Sequence, residues 1–266
     1  MMSLRSIAGY VPDRFVPIVE GAYCWYYSLG DSIKAEPHVP PLPPARLRYQ
    51  VGSVRGGHFL AVGEQCLRDL KRGVSLGGKD LSSLRSILDF GCGCGRTLRW
   101  LTGSVDSACR LYGTDPNGEA IAWCRKTLPG VQLSINRPDP PLEYAPETFD
   151  LVYGLSVFTH LNESAQFAWL SELRRITKPG ALVLLSVLGE YCHRPLTRDE
   201  IDLIHHTGIY VKPSRTLRKM YRGQYTHTYH TPRYIRERWS EVFSVLHHIP
   251  RGVTDHQDLV VLQTPS

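Results

Sequence analysis

The stretch "SILDFGCGCGRTLRWL", Ser86 to Leu101, sets an acid, Asp89, two residues ahead of Gly91, Gly93 and Gly95. Glycine at alternate positions lets backbone approach a ligand closely, because no Cβ stands in the way. The dinucleotide fingerprint G-x-G-x-x-G seats a pyrophosphate on a helix N-terminus. Here the third glycine comes one position early and Arg96 fills the slot the fingerprint wants. A carboxylate just before the turn favours a cationic group over a phosphate, so the loop suits a nucleoside that carries an amino-acid tail. Cys92 and Cys94 raise a metal as the rival reading. A zinc site takes about four ligands, and no Cys or His pair of matching spacing lies nearby, so no metal is expected.

The chain has 11 histidines, the side chain that most readily moves a proton near neutral pH. Four are candidates for a catalytic base: His160 in "FTHL", His193 in "GEYCHR", and His227 and His230 in "YTHTYHTP". Tyr225, Tyr229 and Glu190 are weaker candidates of the same kind. His227-x-x-His230 as a metal pair lacks a third ligand.

The elements that must hold these residues can be read from the pattern. Strand-like runs "SILDF", "RLYGTD", "VQLSIN", "FDLVYGL" and "ALVLLSVL" alternate with helical stretches "RTLRWLTG", "NGEAIAWCRKTL" and "ESAQFAWLSELRRI". Such alternation predicts βαβ units and a parallel sheet covered on both faces. "TPRYIRERWSEVF" predicts a further helix with Thr231 as N-cap and Pro232 in its first turn. "SVLHHI" and "DLVVLQ" follow as the sixth and seventh strands. An insertion over about 189–230 carries one helix, opened by a Thr197-x-x-Glu200 capping box and ended near Gly208. Upstream, "FLAVGEQCLRDLKR" predicts an amphipathic helix with Gly73 as its stop. Pro37, Pro40, Pro41, Pro43 and Pro44 predict an extended connector, and residues 1–36 show no clear periodicity. The expected division is a helical and extended cap over 1–80 and an α/β domain over 81–266.

Composition sets the outer bounds. The chain has 266 residues, 42% of them hydrophobic and 21% charged, as an ordinary globular protein does. No run of about 18 apolar residues predicts a membrane span, and no basic-then-apolar start predicts secretion. Seven cysteines, an odd number, fit free thiols in a reducing, cytoplasmic setting. The net charge of +6 is concentrated in 212–238, where Lys212, Arg215, Arg218, Lys219, Arg222, Arg233, Arg236 and Arg238 face the single acid Glu237.

"DFGCGCG" resembles the first motif of the class I S-adenosylmethionine-dependent methyltransferases, and the resemblance continues to about Leu188. "LYGTDPN" matches the second landmark, "FDLVYGLSVFTHL" the fourth, and "LRRITKPGALVLLSV" the helix, Pro-Gly turn and fifth strand. The resemblance implies a seven-stranded Rossmann-like sheet with helices on both faces, an N-terminal extension and an insertion after strand 5 that lids the acceptor. S-adenosyl-L-methionine is the implied cofactor and S-adenosyl-L-homocysteine the product. Asp89, Gly91, Cys92, Gly93 and Gly95 would line it, with Asp115 and Pro116 at the ribose, Asn136 near the adenine amine, and Gly154 and Leu155 after strand 4. Arg46, Arg48 or Tyr49, in "PPARLRYQVG", would meet the methionine carboxylate. "DPPLEY", Asp139 to Tyr144, precedes strand 4 and reads as a connector, unlike the amino-methyltransferase motif that ends that strand.

The expected activity is SN2 transfer of a methyl group to oxygen or nitrogen of a small molecule, in specialised metabolite biosynthesis. The alternatives are an RNA or protein methyltransferase working through the basic 212–238 face, and a cofactor-binding protein that transfers nothing. A nicotinamide-dependent oxidoreductase is the fold-level rival, and the misplaced third glycine argues against it. A lone basic helix without an RNA-binding module is thin support for nucleic acid.

Overall fold

A computed structural model describes Pro12 and residues 15–29, 40–194, 196–214 and 226–266. Nine strands are present among these residues: β1 (Ser86–Phe90), β2 (Arg110–Asp115), β3 (Val131–Ile135), β4 (Phe149–Gly154), β5 (Thr177–Val187), β6 (Ile209–Pro213), β7 (Thr226–His230), β8 (Ser244–Val253) and β9 (Gln257–Gln263). Seven of them form one sheet in the order β3-β2-β1-β4-β5-β9-β8. β1 to β5 pair in parallel, and β9 enters antiparallel between β5 and β8. The chain order reverses at β1 and β4, so a crevice opens beyond their carboxyl ends, where ligands of doubly wound sheets bind.

The helices are α1 (Val16–Leu29), α2 (Ala45–Gln50), α3 (Gly56–Leu76), α4 (Leu98–Leu101), α5 (Gly118–Thr127), α6 (Glu163–Ile176), α7 (Arg198–Thr207) and α8 (Pro232–Arg238). Two cores cover the sheet. On one face Cys66, Leu67, Leu70 and Val74 of α3 pack with Leu98, Leu101, Ile121 and Cys124 against Ile87, Leu151, Tyr153, Leu182 and Leu184. On the other, Trp169, Leu170 and Leu173 of α6 and Tyr234 and Ile235 of α8 meet Leu88, Val152, Val183, Leu185 and Val260, with Trp239 alongside. Full burial of each such side chain contributes roughly 1.5–3 kcal/mol before entropy is counted.

Several expectations need correcting. Gly73 does not stop its helix. It lies inside α3, where a Cβ would stand 2.5 Å from a Leu184 methyl, and the cap falls at Gly77. The glycine is there for close packing of helix on sheet. α3, which lies before residue 80, packs into the same core as the sheet. The helix expected over "RTLRWLTG" is the single turn α4. "TKPG" belongs to β5 rather than ending α6 in a loop. α8 stops at Arg238 and continues as a 3-10 turn over Trp239–Glu241. The aromatic N-terminal stretch forms α1, and the insertion carries the ribbon β6–β7 beside its helix. α7 has the capping box with both hydrogen bonds in place and ends at Gly208, φ 84°. Pro37 lies outside the described residues.

Gly63 yields a stability prediction. A Cβ there would stand 2.2 Å from the Arg96 carbonyl oxygen and 2.8 Å from Trp100 Nε1. Alanine ordinarily gains about 1 kcal/mol over glycine within a helix. Here it would push α3 away from backbone, so Gly63→Ala is expected to destabilise by about 2–3 kcal/mol. A urea melt checks it: the midpoint falls at unchanged slope, whereas a rise would mean that α3 and the glycine loop are not in contact.

Candidate active site

The glycine loop leaves β1 with φ of 79° at Gly91, 52° at Gly93 and 78° at Gly95, values that L side chains rarely adopt. It is pinned to the next strand. Gly91 N and Cys92 N donate to Thr114 O at 2.8 and 3.0 Å, and Gly93 N donates to Asp115 Oδ2 at 2.9 Å. The other oxygen of Asp115 accepts from Asn117 N at 2.8 Å. Asn117 caps α5 through Glu119 N and Ala120 N and holds Gln50 Oε1 at 2.7 Å. Thr114 Oγ1 reaches Asn136 Oδ1 at 2.9 Å, so the ends of β2 and β3 are joined.

Asp89 is 4% exposed. Burial pushes its carboxyl up to about 7; the nearby Tyr153 hydroxyl and Arg96 pull it down, and the Asp115 charge pushes it further up. The Tyr153 hydroxyl lies near without a well-aligned bond to it. A carboxyl so placed in a ligand-free protein favours an incoming cation, because a cation beside it restores its charged form. Asp115 is likewise raised by burial, and its two backbone donors counter this. A carboxylate has about four acceptor sites, so two remain for the hydroxyls of a ribose. In chemical terms Asp89 can receive an amino group and Asp115 a pair of hydroxyls.

The N-terminal segment folds over the loop. α2 lies against it through Cys94 Sγ, which donates to Leu47 O at 3.6 Å, and Arg96 donates to Val51 O. Arg99 binds the carbonyl oxygens of Pro40 and Pro41, and Arg46 pairs with Glu119. Arg48 and Tyr49 are both buried in α2, Tyr49 with its ring 5.8 Å from that of Tyr23. Pro116 is exposed at the loop after β2, and Gly154 and Leu155 close β4. Cys92 turns its thiol into the core, next to Gly113, so it can offer a ligand only its backbone. Among the described residues no group of three or more His, Cys, Asp or Glu stands as a metal-ligand set.

The four histidines separate. His160 is the last residue of a 3-10 turn after β4, and its Nδ1 lies 2.9 Å from Thr226 O. A carbonyl only accepts, so Nδ1 carries the proton and the basic lone pair of the neutral ring is on Nε2. Thr226 Oγ1 and Thr228 Oγ1 donate back to His160 O and Leu161 O, stitching β7 to this loop. His227 lies beside it, ring to ring at 5.7 Å. His193 is 7% exposed beside His205 and Tyr229, and burial lowers its basicity. His230 is misplaced as a base. It is fully buried, holds Gln166 Oε1 at 3.0 Å, packs on Trp239, and burial holds its pKa down to about 3. Strand parity explains the difference, since residues three apart on β7 point to opposite faces. Glu190 and Tyr229 flank the same turn, whereas Tyr225 and Arg215, Arg218, Lys219 and Arg222 of the basic run lie outside the described residues.

Sequence reasoning missed Ser156, Ser186 and Gln257, which meet where β4, β5 and β9 come together. The one local signal was the short polar break between two apolar runs at Ser156.

Residues 87–180 match the family model described as "Methyltransferase domain". The matched stretch, from β1 to the start of β5, is a methyltransferase domain, and the sheet around it has the Rossmann-like methyltransferase order. Solved methyltransferases share its fold. An S-adenosylmethionine dependent methyltransferase from Mesorhizobium loti is 17% identical with a TM-score of 0.54, covering 72% of this chain and 96% of that one. The 1,6-didemethyltoxoflavin-N1-methyltransferase of Burkholderia thailandensis, solved with 1,6-didemethyltoxoflavin and S-adenosylhomocysteine bound, is 11% identical with a TM-score of 0.55, covering 96% and 91%. At these identities the likeness is one of fold. A protein of Oryza sativa subsp. japonica named "Probable tocopherol O-methyltransferase, chloroplastic" is 29% identical over 127 residues, 45% of this chain and 32% of that protein. The chain spans between 32% and 39% of the length of the curated relatives it matches. Among the described residues no helix is long and apolar enough to cross a membrane.

Proposed function

We propose that the chain methylates an oxygen or nitrogen of a small-molecule acceptor. The observation that carries this is the convergence of buried Asp89, the positive-φ glycines and doubly held Asp115 at the switch point of the sheet. S-adenosylmethionine supplies a methyl group on a sulfonium: the C–S bond breaks, its electron pair stays on sulfur, and the acceptor gains a C–O or C–N bond and gives up a proton. The protein's tasks are then alignment, exclusion of water and removal of that proton. α2 packs on the glycine loop, and β7 of the insertion is stitched to the loop after β4. His160, with Nδ1 fixed by Thr226 O, would take the proton at Nε2. Relatives acting on small molecules support the acceptor class, going by the tocopherol and didemethyltoxoflavin in their names. Specialised biosynthesis is part of the same proposal.

Among the described residues, the basic run gives less support to RNA or protein. Lys212 pairs with Glu200, Arg238 pairs with Glu241, and Arg233 donates to His206 O. Cations already engaged within the chain are poor candidates for phosphate contacts.

Methyl-labelled cofactor, the pure protein and an extract of its source cells test the reading. Label in the small-molecule fraction supports it, and label confined to RNA or protein overturns it. On the identified acceptor, His160→Gln is expected to lower kcat by about a hundredfold and to remove the acid limb of the pH–rate profile. His230→Asn should keep that limb and lower the melting temperature instead. If the two variants behave alike, the proton goes elsewhere.

A further inference from the structure

At the ends of β4, β5 and β9 three side chains close a hydrogen-bonded ring. Ser156 N donates to Ser186 Oγ at 2.7 Å, Ser186 Oγ donates to Gln257 Oε1 at 2.7 Å, and Gln257 Nε2 donates to Ser156 Oγ at 2.9 Å. Ser186 is fully buried, and the other two are half-buried. The ring fixes which way the Gln257 amide faces. It holds the Ser156 hydroxyl 3.1 Å from Gln257 Oε1, an oxygen that Ser186 already occupies. Ser156 has a φ of 62°, in the left-handed region that favours glycine. A serine kept in that conformation by two other strands is strained backbone at a crevice, where strain accompanies function.

The topology says which part of the crevice this is. Asn136 and Asp115 mark the nucleoside over β3 and β2, and Asp89 marks the amino-acid end at β1. The next strand outward is β4, then β5 and β9, so the reactive end of the cofactor and the acceptor meet there. Ser156 is bonded to Val157, whose side chain touches the glycine loop: a Cβ on Gly91 would stand 2.4 Å from it. Asp89, Tyr153 and Leu184 lie in register across β1, β4 and β5. Ser186, two residues beyond Leu184, therefore points to the same face as Asp89. Gln257 does so too, two residues before Leu259, which pairs with Ser186.

We propose that Ser156 and Gln257 are the polar seat for the accepting atom, and that the acceptor presents a neutral hydroxyl or an amine there rather than a carboxylate or phosphate. The Ser156 hydroxyl oxygen, which accepts from Gln257 Nε2, keeps a lone pair for a proton donor, and the three side chains of the ring carry no charge to hold an anion. This deepens the methyl-transfer reading and rests on it.

Titration calorimetry with two probes tests the seat without knowing the acceptor. S-adenosylhomocysteine leaves it empty. Sinefungin, in which a carbon bearing an amine replaces the sulfur and its methyl, puts a proton donor into it. Ser156→Gly removes the hydroxyl and relieves the φ, and thermal melts should show the variant folded and no less stable. It is expected to lower sinefungin affinity about tenfold, as the loss of one hydrogen bond to a charged group does, with S-adenosylhomocysteine within about twofold. Gln257→Leu should shift the same ratio. Equal losses for both probes would reduce the ring to a brace for the loop and overturn the proposal, as would no loss for either. If the unaltered protein binds neither probe, the methyl-transfer reading itself is what fails.

Discussion

Asp89→Asn is expected to make the ligand-free protein more stable and nearly blind to its cofactor. The carboxyl is buried and titrates near 7, against 3.8 for an ordinary aspartate. A raised pKa in the folded state means that the native protein holds this proton more tightly than the unfolded chain does. The associated stability is present below about pH 4 and is lost as pH rises through 7. Three units correspond to about 4 kcal/mol at most. Asparagine keeps the shape and never carries the charge, so at pH 8 the variant should melt about 5 °C higher or more. The gain should fade toward pH 5, where the native side chain is itself protonated. Binding follows the opposite sign. An amino group beside Asp89 requires the charged carboxylate, so affinity for S-adenosylhomocysteine should rise about tenfold per pH unit up to 7 and then level off. Binding at pH 6 should release close to one proton, seen in calorimetry as a heat that depends on the buffer. The variant should bind about a hundredfold more weakly at pH 8, with no such slope and no released proton. Unchanged affinity with unchanged slope would take the cofactor's amine away from Asp89.

Why the strand-end positions of Asp89 and Asp115 could be read from the sequence, and the ring of Ser156, Ser186 and Gln257 could not, is a matter of distance along the chain. Buried parallel strands are short apolar runs set off by Gly, Pro, Asp and Asn, and each acid sits at the end of such a run. β1 and β2 begin and end where that pattern places them. Ser156, Ser186 and Gln257 come together across separations of 30, 71 and 101 residues, and beyond the polar break at Ser156 no local pattern marks them. His227 and His230 could not be told apart in the sequence for another reason. "YTHTYH" alternates β-branched, aromatic and imidazole side chains, a strand signal. Only a strand assignment shows that the two histidines point opposite ways. α1 escaped notice because Tyr23, Trp25, Tyr26 and Tyr27 put rings on every side of it, which erases a helical stripe. Gly73 misled because the rule that glycine ends helices competes with close packing of helix against sheet, and here packing decides.

Asp115→Asn is expected to be nearly as harmful as Asp115→Ala, although it looks conservative. Both carboxylate oxygens accept from backbone N–H groups, Gly93 on one side and Asn117 on the other. An amide has one accepting oxygen, so whichever way it turns, its NH2 faces a donor. Leaving one buried N–H unmet costs about 1–3 kcal/mol. At Gly93 that loss releases the middle of the glycine loop, whose φ of 52° is held in part by this bond. The lone pairs left for the ribose go with it. Affinity for S-adenosylhomocysteine should fall about a hundredfold or more in both variants, with the fold retained because β2 and its pairing with β1 and β3 do not depend on the side chain. A cycle isolates the ribose contact from the bracing of the loop. S-adenosylhomocysteine lacking one ribose hydroxyl should bind the native protein about tenfold more weakly, and should bind Asp115→Ala as well as the intact ligand does. If the missing hydroxyl costs the variant as much as it costs the native protein, Asp115 only braces the glycine loop, and the ribose is held by another group.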